Sequence, residues 1–245
     1  MRLNTEHRIL NTEPSNYPFV LINMAMTADG KIATTNRAVA SFGSARDHAH
    51  LLALRATADA VMSGARTVDS AKINLGPGGA KFRRLRSERG LAESNVRVLV
   101  SGRGSINPQA EVFKHRFSPI LILTTQRTSP TKLRQLRVLA DAVKVCGKTE
   151  INFRAALRWL RTRWGVKRLL CEGGGELNDA LFRAGLVDEL HLTVCPIVFG
   201  GRTAPTIAEG VGQLRLTDAA QFQLKSTRRV ADEMFLVYTK TRRRM

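Results

Sequence analysis

The sequence lacks the cysteine and histidine patterns that hold disulfides or metal ions. Only three cysteines occur among the 245 residues, Cys146, Cys171 and Cys195, and no two form a C-x-x-C pair. This spacing argues against a disulfide framework and against a zinc ribbon. The H-E-x-x-H, G-x-S-x-G and zinc-deaminase signatures are missing too, which argues against zinc peptidases, serine hydrolases and zinc deaminases. We therefore expect no metal site, and the isolated cysteines favour a reducing cytoplasm.

Long hydrophobic runs are also absent. No stretch approaches the roughly 18 consecutive apolar residues that a membrane-spanning helix requires, and the polar start of the chain has no continuous apolar segment of the signal-peptide type. Hydrophobic residues nevertheless make up 43% of the sequence, which is enough to form a core. We expect a globular protein that is neither exported nor inserted in a membrane.

Acidic and aromatic residues are scarce. The chain has 20 Asp and Glu against 39 Lys and Arg, a formal net charge of +19 that suggests nucleic-acid binding. The stretches 81–90, 151–168 and 240–244 carry +4, +6 and +4 of this charge. Aromatic residues are only 6% and do not alternate with the basic runs, so they form no stacking platform for single strands. The pattern favours a basic cleft for a phosphorylated small molecule, with residues 81–86 beside it.

Strands that alternate with helices dominate the sequence. Continuous apolar runs, such as 18–26, predict strands that are buried on both faces. The alternation predicts an α/β fold with a mostly parallel central sheet, and the alternating runs 222–230 and 234–240 predict a closing antiparallel hairpin. The chain divides into an N-terminal extension at 1–17, one domain at 18–240 and a basic tail at 241–245.

Two further predictions concern local structure between the first strands. Ser44 is a suitable N-cap for a helix over 44–56, with Asp47 completing a capping-box-like pair. Residues 70–95 are rich in Gly, Lys and Arg and predict a long loop with at most one helical turn. Because long loops in compact domains often carry function, we expect this loop to border a ligand site.

Glycines follow three of the predicted strands. They occur at 171–177, 63–67 and 101–103. Glycine lets the backbone approach a ligand, and a following helix N-terminus offers free N–H groups to a phosphate. Because parallel strands end at one edge of a sheet, the three glycine turns predict a shared crevice that could hold a dinucleotide. Taken by itself, a triple glycine at a strand end is more often a tight structural turn than a ligand site.

Two carboxylates stand at predicted strand ends. Asp29 precedes Gly30 after the first strand, and Glu172 directly follows a buried strand. Each could donate a proton to a ligand or could simply anchor a turn. His48 and His50 lie on different sides of one predicted helix, so we expect them at the surface or in packing contacts rather than on a metal.

Several separated motifs occur in an order typical of one enzyme family. They are NMAMTADGKIA at 23–33, LRA at 54–56, DAV at 59–61, GARTV at 64–68, EGGG at 172–175 and GLVDEL at 185–190. Over about residues 18–240 the chain resembles the pyrimidine reductases of riboflavin biosynthesis, the reductase domain of the bifunctional deaminase-reductase. The resemblance implies a three-layer dihydrofolate reductase-like fold and a homodimer. It also implies NADPH-dependent reduction of 5-amino-6-(5-phosphoribosylamino)uracil to its ribitylamino product.

The resemblance also implies which residues serve the cofactor and the substrate. Those along NADPH would be Ala25, Ser41, Gly64, Thr67, Ser101, Gly102, Arg103, Gly173, Gly174, Gly175, Glu176 and Leu177. Ser101 and Arg103 would lie near the adenosine 2′-phosphate. The residues facing the substrate would be Val39, Arg55, Leu75 and Glu172. Asp29 and Glu172 would be the catalytic groups, as proton source or iminium stabiliser, while the protein holds the nicotinamide against the reacting carbon.

One position departs from the family pattern. Relatives carry an arginine that grips the substrate phosphate where this chain has Gly78. Lys81, Arg83 or Arg84 could supply the missing charge. Alternatively the substrate differs, and the chain is a reductase of the same fold that acts on another phosphorylated or pterin-like compound. A basic nucleic-acid-binding protein is the alternative from a different functional class.

Overall fold

The computed structural model describes residues 16–37, 42–70 and 73–241. These residues contain a nine-stranded sheet. In chain order the strands are β1 (Phe19–Thr27), β2 (Ala60–Gly64), β3 (Val96–Val100), β4 (Ile120–Thr124), β5 (Ala142–Val145), β6 (Arg168–Cys171), β7 (Glu189–Cys195), β8 (Phe222–Val230) and β9 (Glu233–Lys240). They lie side by side in the order β5-β4-β3-β2-β6-β1-β7-β9-β8.

Helices cover both faces of this sheet. They are α1 (Ala45–Arg55), α2 (Ala65–Ser70), α3 (Ala80–Glu88), α4 (Glu111–Lys114), α5 (Pro130–Leu139), α6 (Phe153–Trp164) and α7 (Gly175–Arg183). Leu157 of α6 and Leu181 of α7 belong to the core on one face. Leu54 of α1, Val68 of α2 and Leu136 of α5 belong to the core on the other face. The three-layer α/β arrangement expected from the sequence is confirmed.

The central strands are continuous apolar runs because helices lie on both sides of them. Every residue of β4 is buried, and Leu21 and Ile22 of β1 are fully enclosed while facing opposite cores. Buried parallel strands have this composition, whereas the strands of a sheet with one solvent-exposed face alternate apolar and polar residues. The apolar runs alone therefore predict a sheet that is covered by helices on both faces.

The strand pairing brings several strand ends together at one edge of the sheet. β1 through β7 form parallel pairs, and only β9 and β8 run antiparallel to their neighbours. The prediction of a mostly parallel sheet closed by an antiparallel hairpin is confirmed. β6 returns to lie between β1 and β2, so the carboxyl ends of β3, β2, β6 and β1 adjoin. This edge is where open α/β sheets bind ligands.

The prediction of a long loop at 70–95 is wrong in its second half, where α3 forms. The helix is held by a buried arginine rather than by an apolar stripe. Arg86 is 1% exposed, and its guanidinium donates to the carbonyl oxygens of Arg55, Ala58 and Ala92 at 2.6, 2.6 and 2.8 Å. Because apolar periodicity is the main helix signal in a sequence, a helix anchored by arginine resembles a basic loop.

The helix start predicted at Ser44 is confirmed, but its capping partner comes from elsewhere. The Ser44 hydroxyl oxygen accepts from the backbone N–H groups of Arg46 and Asp47. Glu233 of the distant hairpin completes the box, since its carboxylate accepts the Ser44 N–H at 2.8 Å and the Ser44 hydroxyl at 2.5 Å. The predicted bond from the Asp47 N–H to the Ser44 hydroxyl is therefore present, at 3.3 Å, but Glu233 and not the Asp47 side chain accepts the Ser44 N–H.

The basic stretch at 151–168 forms the amphipathic helix that its spacing predicts. Phe153, Leu157 and Leu160 are buried on α6, while Arg154 and Arg158 lie on its exposed side. No helix in the described ranges is both long and apolar enough to cross a membrane. Most of the predicted N-terminal extension and basic tail lie outside the described residues.

Candidate active site

A cavity of about 960 Å³ opens at the edge where β1, β2, β3 and β6 end. The residues predicted for cofactor or substrate that line it are Ala25, Arg55, Gly64, Thr67, Ser101, Gly102, Arg103, Glu172, Gly174, Gly175, Glu176 and Leu177. The three glycine turns therefore meet in one crevice, as predicted. Val39 and Ser41 lie outside the described residues.

The turn after β6 is tied to the end of β2 by backbone hydrogen bonds. The Glu172 N–H donates to the Met62 carbonyl at 2.9 Å, and the Gly64 N–H donates to the Gly173 carbonyl at 2.9 Å. The Ser63 hydroxyl also donates to the Gly173 carbonyl, at 3.2 Å. Gly173 is thus a structural link between strand ends and is not itself part of the cavity lining.

The glycine at the start of α7 is required by close packing. A Cβ on Gly175 would lie 2.6 Å from the Thr206 carbonyl oxygen and 2.8 Å from the Glu209 Cβ, both too close. Gly174 precedes the helix and has no side chain to cap it. Gly174, Gly175 and Glu176 line the cavity, so the start of α7 lies at its edge. The first-turn N–H groups of a helix can bind an anion, favoured by the positive end of the helix dipole.

A buried ion pair joins α1 to the glycine turn. Arg55 Nε and one terminal nitrogen donate to the two Glu172 carboxylate oxygens at 2.6 and 2.7 Å. The other terminal nitrogen donates to the Gly76 carbonyl at 2.6 Å. The two side chains are 8% and 9% exposed, so each charge depends on the other for stabilisation. The pair fixes both groups in the cavity wall, and their contact with the substrate stays a prediction from the family resemblance.

Two arginines at the far side of the cavity have no ion-pair partner among the described residues. Arg103 follows β3 and Arg127 follows β4, the neighbouring strand, and both line the cavity. Both side chains are exposed. By contrast, cavity residues Arg37 and Arg66 pair with Glu209 and Glu176, respectively. The unpaired guanidinium groups are suited to a phosphate, which they can bind through several N–H donors.

Asp29 lies in the turn after β1 and does not line the cavity. Its carboxylate accepts the Thr27 hydroxyl at 2.5 Å and the backbone N–H groups of Gly200 and Phe199 at 2.8 and 3.2 Å. The hydrogen bond from Thr27, followed by those from the two amides, lowers the pKa of Asp29. The geometry gives this carboxylate a turn-anchoring role and disfavours the predicted role as a proton donor.

The position of Leu75 disagrees with its predicted contact to substrate. Its side chain is fully buried in the core that includes Leu54 and Val68. Its carbonyl oxygen accepts the Asn95 side-chain amide at 2.8 Å. Leu75 therefore holds the 73–78 segment against the sheet and is not part of the cavity lining.

The basic segment near 81–86 does not supply the charge that Gly78 lacks. Lys81, Arg83 and Arg84 are not part of the cavity lining. Arg83 pairs with Glu93 at 3.0 Å and donates to the Gly78 carbonyl at 3.2 Å. The geometry therefore disfavours the expected phosphate contact from this segment, since Lys81 and Arg84 are exposed on α3 and Arg83 is engaged by Glu93 and Gly78.

Several cavity residues were missed by reading the sequence. Asn23 of β1 and Asp47 of α1 line the cavity, and each has one buried side-chain oxygen without a partner among the described residues. Burial and the nearby Glu233 carboxylate raise the pKa of Asp47, while the Thr193 hydroxyl opposes the shift. Within the described ranges, no cluster of His, Cys, Asp and Glu could hold a metal ion.

Comparison with known proteins agrees with this geometry. The chain matches the model of the RibD C-terminal domain over residues 18–236. A curated relative from Methanothermobacter thermautotrophicus is 30% identical over 224 residues, covering 91% of this chain and 98% of its own. A second, from Archaeoglobus fulgidus, is 32% identical over 198 residues, covering 81% and 89%. Both are named as 2,5-diamino-6-ribosylamino-4(3H)-pyrimidinone 5′-phosphate reductases.

A solved structure supports the fold independently. The pyrimidine reductase-like protein from Corynebacterium diphtheriae has a TM-score of 0.74 to this chain, with 21% identity over 92% of each chain. At this identity the likeness shows the fold alone. With the family model covering most of the sequence, the chain belongs to the RibD C-terminal domain family and has its dihydrofolate reductase-like fold.

Proposed function

We propose that this protein is an oxidoreductase of riboflavin biosynthesis that uses NADPH to reduce a ribosylaminopyrimidine 5′-phosphate to its ribitylamino product. Its family membership and the names of its curated relatives support the reaction class. The observation that carries the proposal is the single cavity built from three glycine turns and the Arg55–Glu172 pair. The glycine turns fit an extended, phosphorylated cofactor, and the ion pair fits a polar substrate beside it.

Reduction of the sugar by hydride requires an electron-poor carbon at C1′. When bound, a nicotinamide cofactor supplies a hydride. Opening of the sugar ring breaks the C1′–O4′ bond and gives an iminium at C1′, while O4′ takes a proton from solvent and becomes a hydroxyl. Addition of hydride to C1′ would then give a neutral secondary amine, so the nitrogen needs no further proton. Glu172 is held by both oxygens against Arg55, so its orientation is fixed before the substrate arrives. We assign Glu172 the role of stabilising the positive iminium, since a preorganised charge at the reacting group lowers the barrier without reorganisation.

The preference for NADPH over NADH is assigned to Arg103 and Arg127. The two cofactors differ by the adenosine 2′-phosphate, and these two arginines follow adjacent strands, line the cavity and have no ion-pair partner among the described residues. Ser101 and Gly102 lie at the same strand end and line the cavity. The start of α7 at Gly175 offers its N–H groups to the pyrophosphate.

The test is a titration with NADPH followed by addition of the pyrimidine substrate. We expect saturable NADPH binding, weaker NADH binding, and oxidation of NADPH when the ribosylaminopyrimidine phosphate is present. Dihydrofolate, added in a parallel reaction, should leave NADPH unoxidised. Tight NADPH binding without turnover of any pyrimidine substrate would reject the pathway assignment.

The closing hairpin supports a homodimer as part of this proposal. β8 forms the free edge of the sheet, and most of its residues are exposed. Leu224 on β8 and Met234 on β9 are apolar and are 54% and 37% exposed, and a long unpaired edge strand can pair with the same strand of a second copy. Sedimentation at micromolar concentration should show a dimer, and a monomer there would reject it. The three cysteines are free and buried, which agrees with the proposed cytoplasmic location.

A further inference from the structure

One side of helix α6 carries arginines whose charge no carboxylate compensates. The stretch 151–168, which contains α6, has five arginines and one lysine and no acidic residue. Arg154, Arg158 and Arg161 follow a spacing of four and three residues, so they lie along one side of the helix, over about 10 Å. Among the residues that the structure describes, none of the three lies within ion-pair distance of a carboxylate.

Two of these arginines are held in place by neutral groups. The Arg154 guanidinium donates to the Ala184 carbonyl oxygen at 2.6 Å. The Arg158 guanidinium donates to the Tyr17 hydroxyl oxygen at 3.1 Å, and its central carbon lies 5.6 Å from the centre of the Tyr17 ring. These contacts orient the side chains but leave their positive charges uncompensated. The remaining N–H donors suit a phosphate, whose oxygens a guanidinium can bind in pairs.

A lysine from the closing hairpin extends this line of charge. Lys240 at the end of β9 donates to the Gly185 carbonyl oxygen at 2.5 Å. Gly185 directly follows Ala184, whose carbonyl oxygen accepts from Arg154, so the two cations lie beside each other. We call the four side chains the basic row: Lys240, Arg154, Arg158 and Arg161.

The basic row is separate from the cavity and from any free apolar surface. None of its four residues lines the cavity, so the proposed cofactor and substrate do not account for it. Leu157 and Leu160 on the other side of α6 are 0% exposed and belong to the core. A helix that lies in a membrane surface needs a free apolar face. Because the apolar face of α6 is already buried, a partner of the basic row contacts charged side chains only.

We infer that the basic row binds the phosphate backbone of a double-stranded nucleic acid. A DNA duplex carries one negative charge per roughly 1.7 Å of its axis, so the side of α6 from Arg154 to Arg161 faces about six phosphates. Trp159 and Trp164 pack against the core and form no stacking platform for the bases of a single strand. Contacts to phosphates alone carry no sequence information, so the binding is independent of base sequence. The inference does not depend on the proposed function.

The experiment measures the binding of the full chain to a fluorescently labelled DNA duplex of about 20 base pairs by anisotropy, at salt concentrations from about 50 to 200 mM. Four cations on the backbone predict that the logarithm of the binding constant falls with the logarithm of salt concentration with a slope of about −3 to −4. The combined variant Arg154→Gln, Arg158→Gln and Arg161→Gln should reduce this slope by about 2.7 and weaken binding at low salt by about tenfold or more. Replacing the same three residues by lysine keeps the charge and should keep the slope.

The matched control removes three charges from another helix. Lys81→Gln, Arg84→Gln and Arg89→Gln act on exposed side chains of α3 and its C-terminal cap, which also lack an ion-pair partner in the described part of the chain and do not line the cavity. This control should leave the slope nearly unchanged. If the two combined variants weaken binding equally, binding follows the net charge of +19 rather than the basic row, and the inference is overturned.

Competition experiments separate the basic row from the cavity and from other anionic partners. Saturating NADPH should leave the duplex bound, whereas displacement by NADPH would place the duplex in the cavity and overturn the inference. Tighter binding of a single strand of the same length would also overturn it, as would equal affinity for polyglutamate or for vesicles of anionic phospholipid. A wild-type chain that binds the duplex but does not oxidise NADPH would reject the proposed function and leave this inference intact.

Folding and turnover of the variants complete the test. The combined glutamine variant should keep the wild-type kcat/KM and thermal midpoint, because the basic row lies outside the cavity lining. Arg161→Gln alone removes no hydrogen bond between described residues and should reduce the salt slope by about 0.9. An unchanged slope in this folded single variant would count against the inference even if the combined variant fails to fold.

Discussion

The replacement Glu172→Gln tests whether the ion pair in the cavity wall is a mutually dependent unit. The change removes the negative charge that faces Arg55, whose side chain is 8% exposed. It also replaces one of the two acceptor oxygens of Glu172 by an NH2 group, which leaves Arg55 the remaining amide oxygen and the Gly76 carbonyl. Breaking one side of such a buried pair costs about 3–5 kcal/mol, because the remaining charge is uncompensated. With a urea m-value of about 2–3 kcal/mol/M, the unfolding midpoint should fall by about 1–2 M.

Urea unfolding followed by the fluorescence of Trp159 and Trp164 measures this loss. The matched control is Glu176→Gln, which breaks the pair with Arg66 at side-chain exposures of 61% and 63%. That exposed pair should contribute no more than about 1 kcal/mol, because water screens it. If Glu172→Gln costs no more than Glu176→Gln, the burial argument is wrong. Arg55→Met combined with Glu172→Leu should recover most of the stability while abolishing turnover, which separates the structural from the catalytic role.

Three further outcomes follow from the site. Asp29→Asn should lower the thermal unfolding midpoint at pH 7. Folding lowers the pKa of Asp29, so the ionised carboxylate stabilises the folded protein above pH 3.8, and this stabilisation is lost as the pH falls through the pKa of the folded state. The deficit should therefore disappear in melts near pH 2, and a constant deficit would contradict it. Arg103→Ala and Arg127→Ala should each weaken NADPH binding roughly tenfold and have little effect on NADH binding. Fluorescence titration measures both affinities, and equal losses for the two cofactors would reject the assignment of these arginines to the 2′-phosphate. Gly175→Ala should destabilise the protein by about 1–3 kcal/mol in urea, since its Cβ would lie 2.6 Å from the Thr206 carbonyl, and a neutral effect would refute that packing argument.

The sheet and its glycine turns could be predicted because both leave a local pattern in the sequence. A strand covered on both sides is a continuous apolar run, as at β4. Glycine after such a strand permits the tight turn and the close backbone approach that a ligand site at a strand end requires. Gly64, Gly102 and Gly174 could therefore be placed in one crevice from the sequence, and the structure puts them in one cavity wall.

The missed residues depend on which strands and helices become neighbours. Asn23 resembles a single polar interruption of a buried strand, and only its pairing with β7 places it near Thr193 and Asp47. Glu233 caps Ser44 across 189 residues, a contact that no local pattern can indicate. The helix at Ala80–Glu88 is not predicted by the sequence because a buried arginine, Arg86, anchors it through hydrogen bonds to backbone carbonyls. Most helices are anchored instead by apolar side chains, which leave a periodic pattern in the sequence.

The net charge of +19 does not accumulate in the cavity. Six arginines and six carboxylates line it, and Arg37, Arg55, Arg66 and Arg183 are each paired with an acidic residue. The cavity is therefore nearly neutral as a whole but polarised along the sheet. Unpaired guanidinium groups lie beyond β3 and β4, and open acceptors lie on β1 and α1. Such a gradient orients a ligand that carries phosphate at one end and N–H donors at the other, which a uniformly basic cleft could not do.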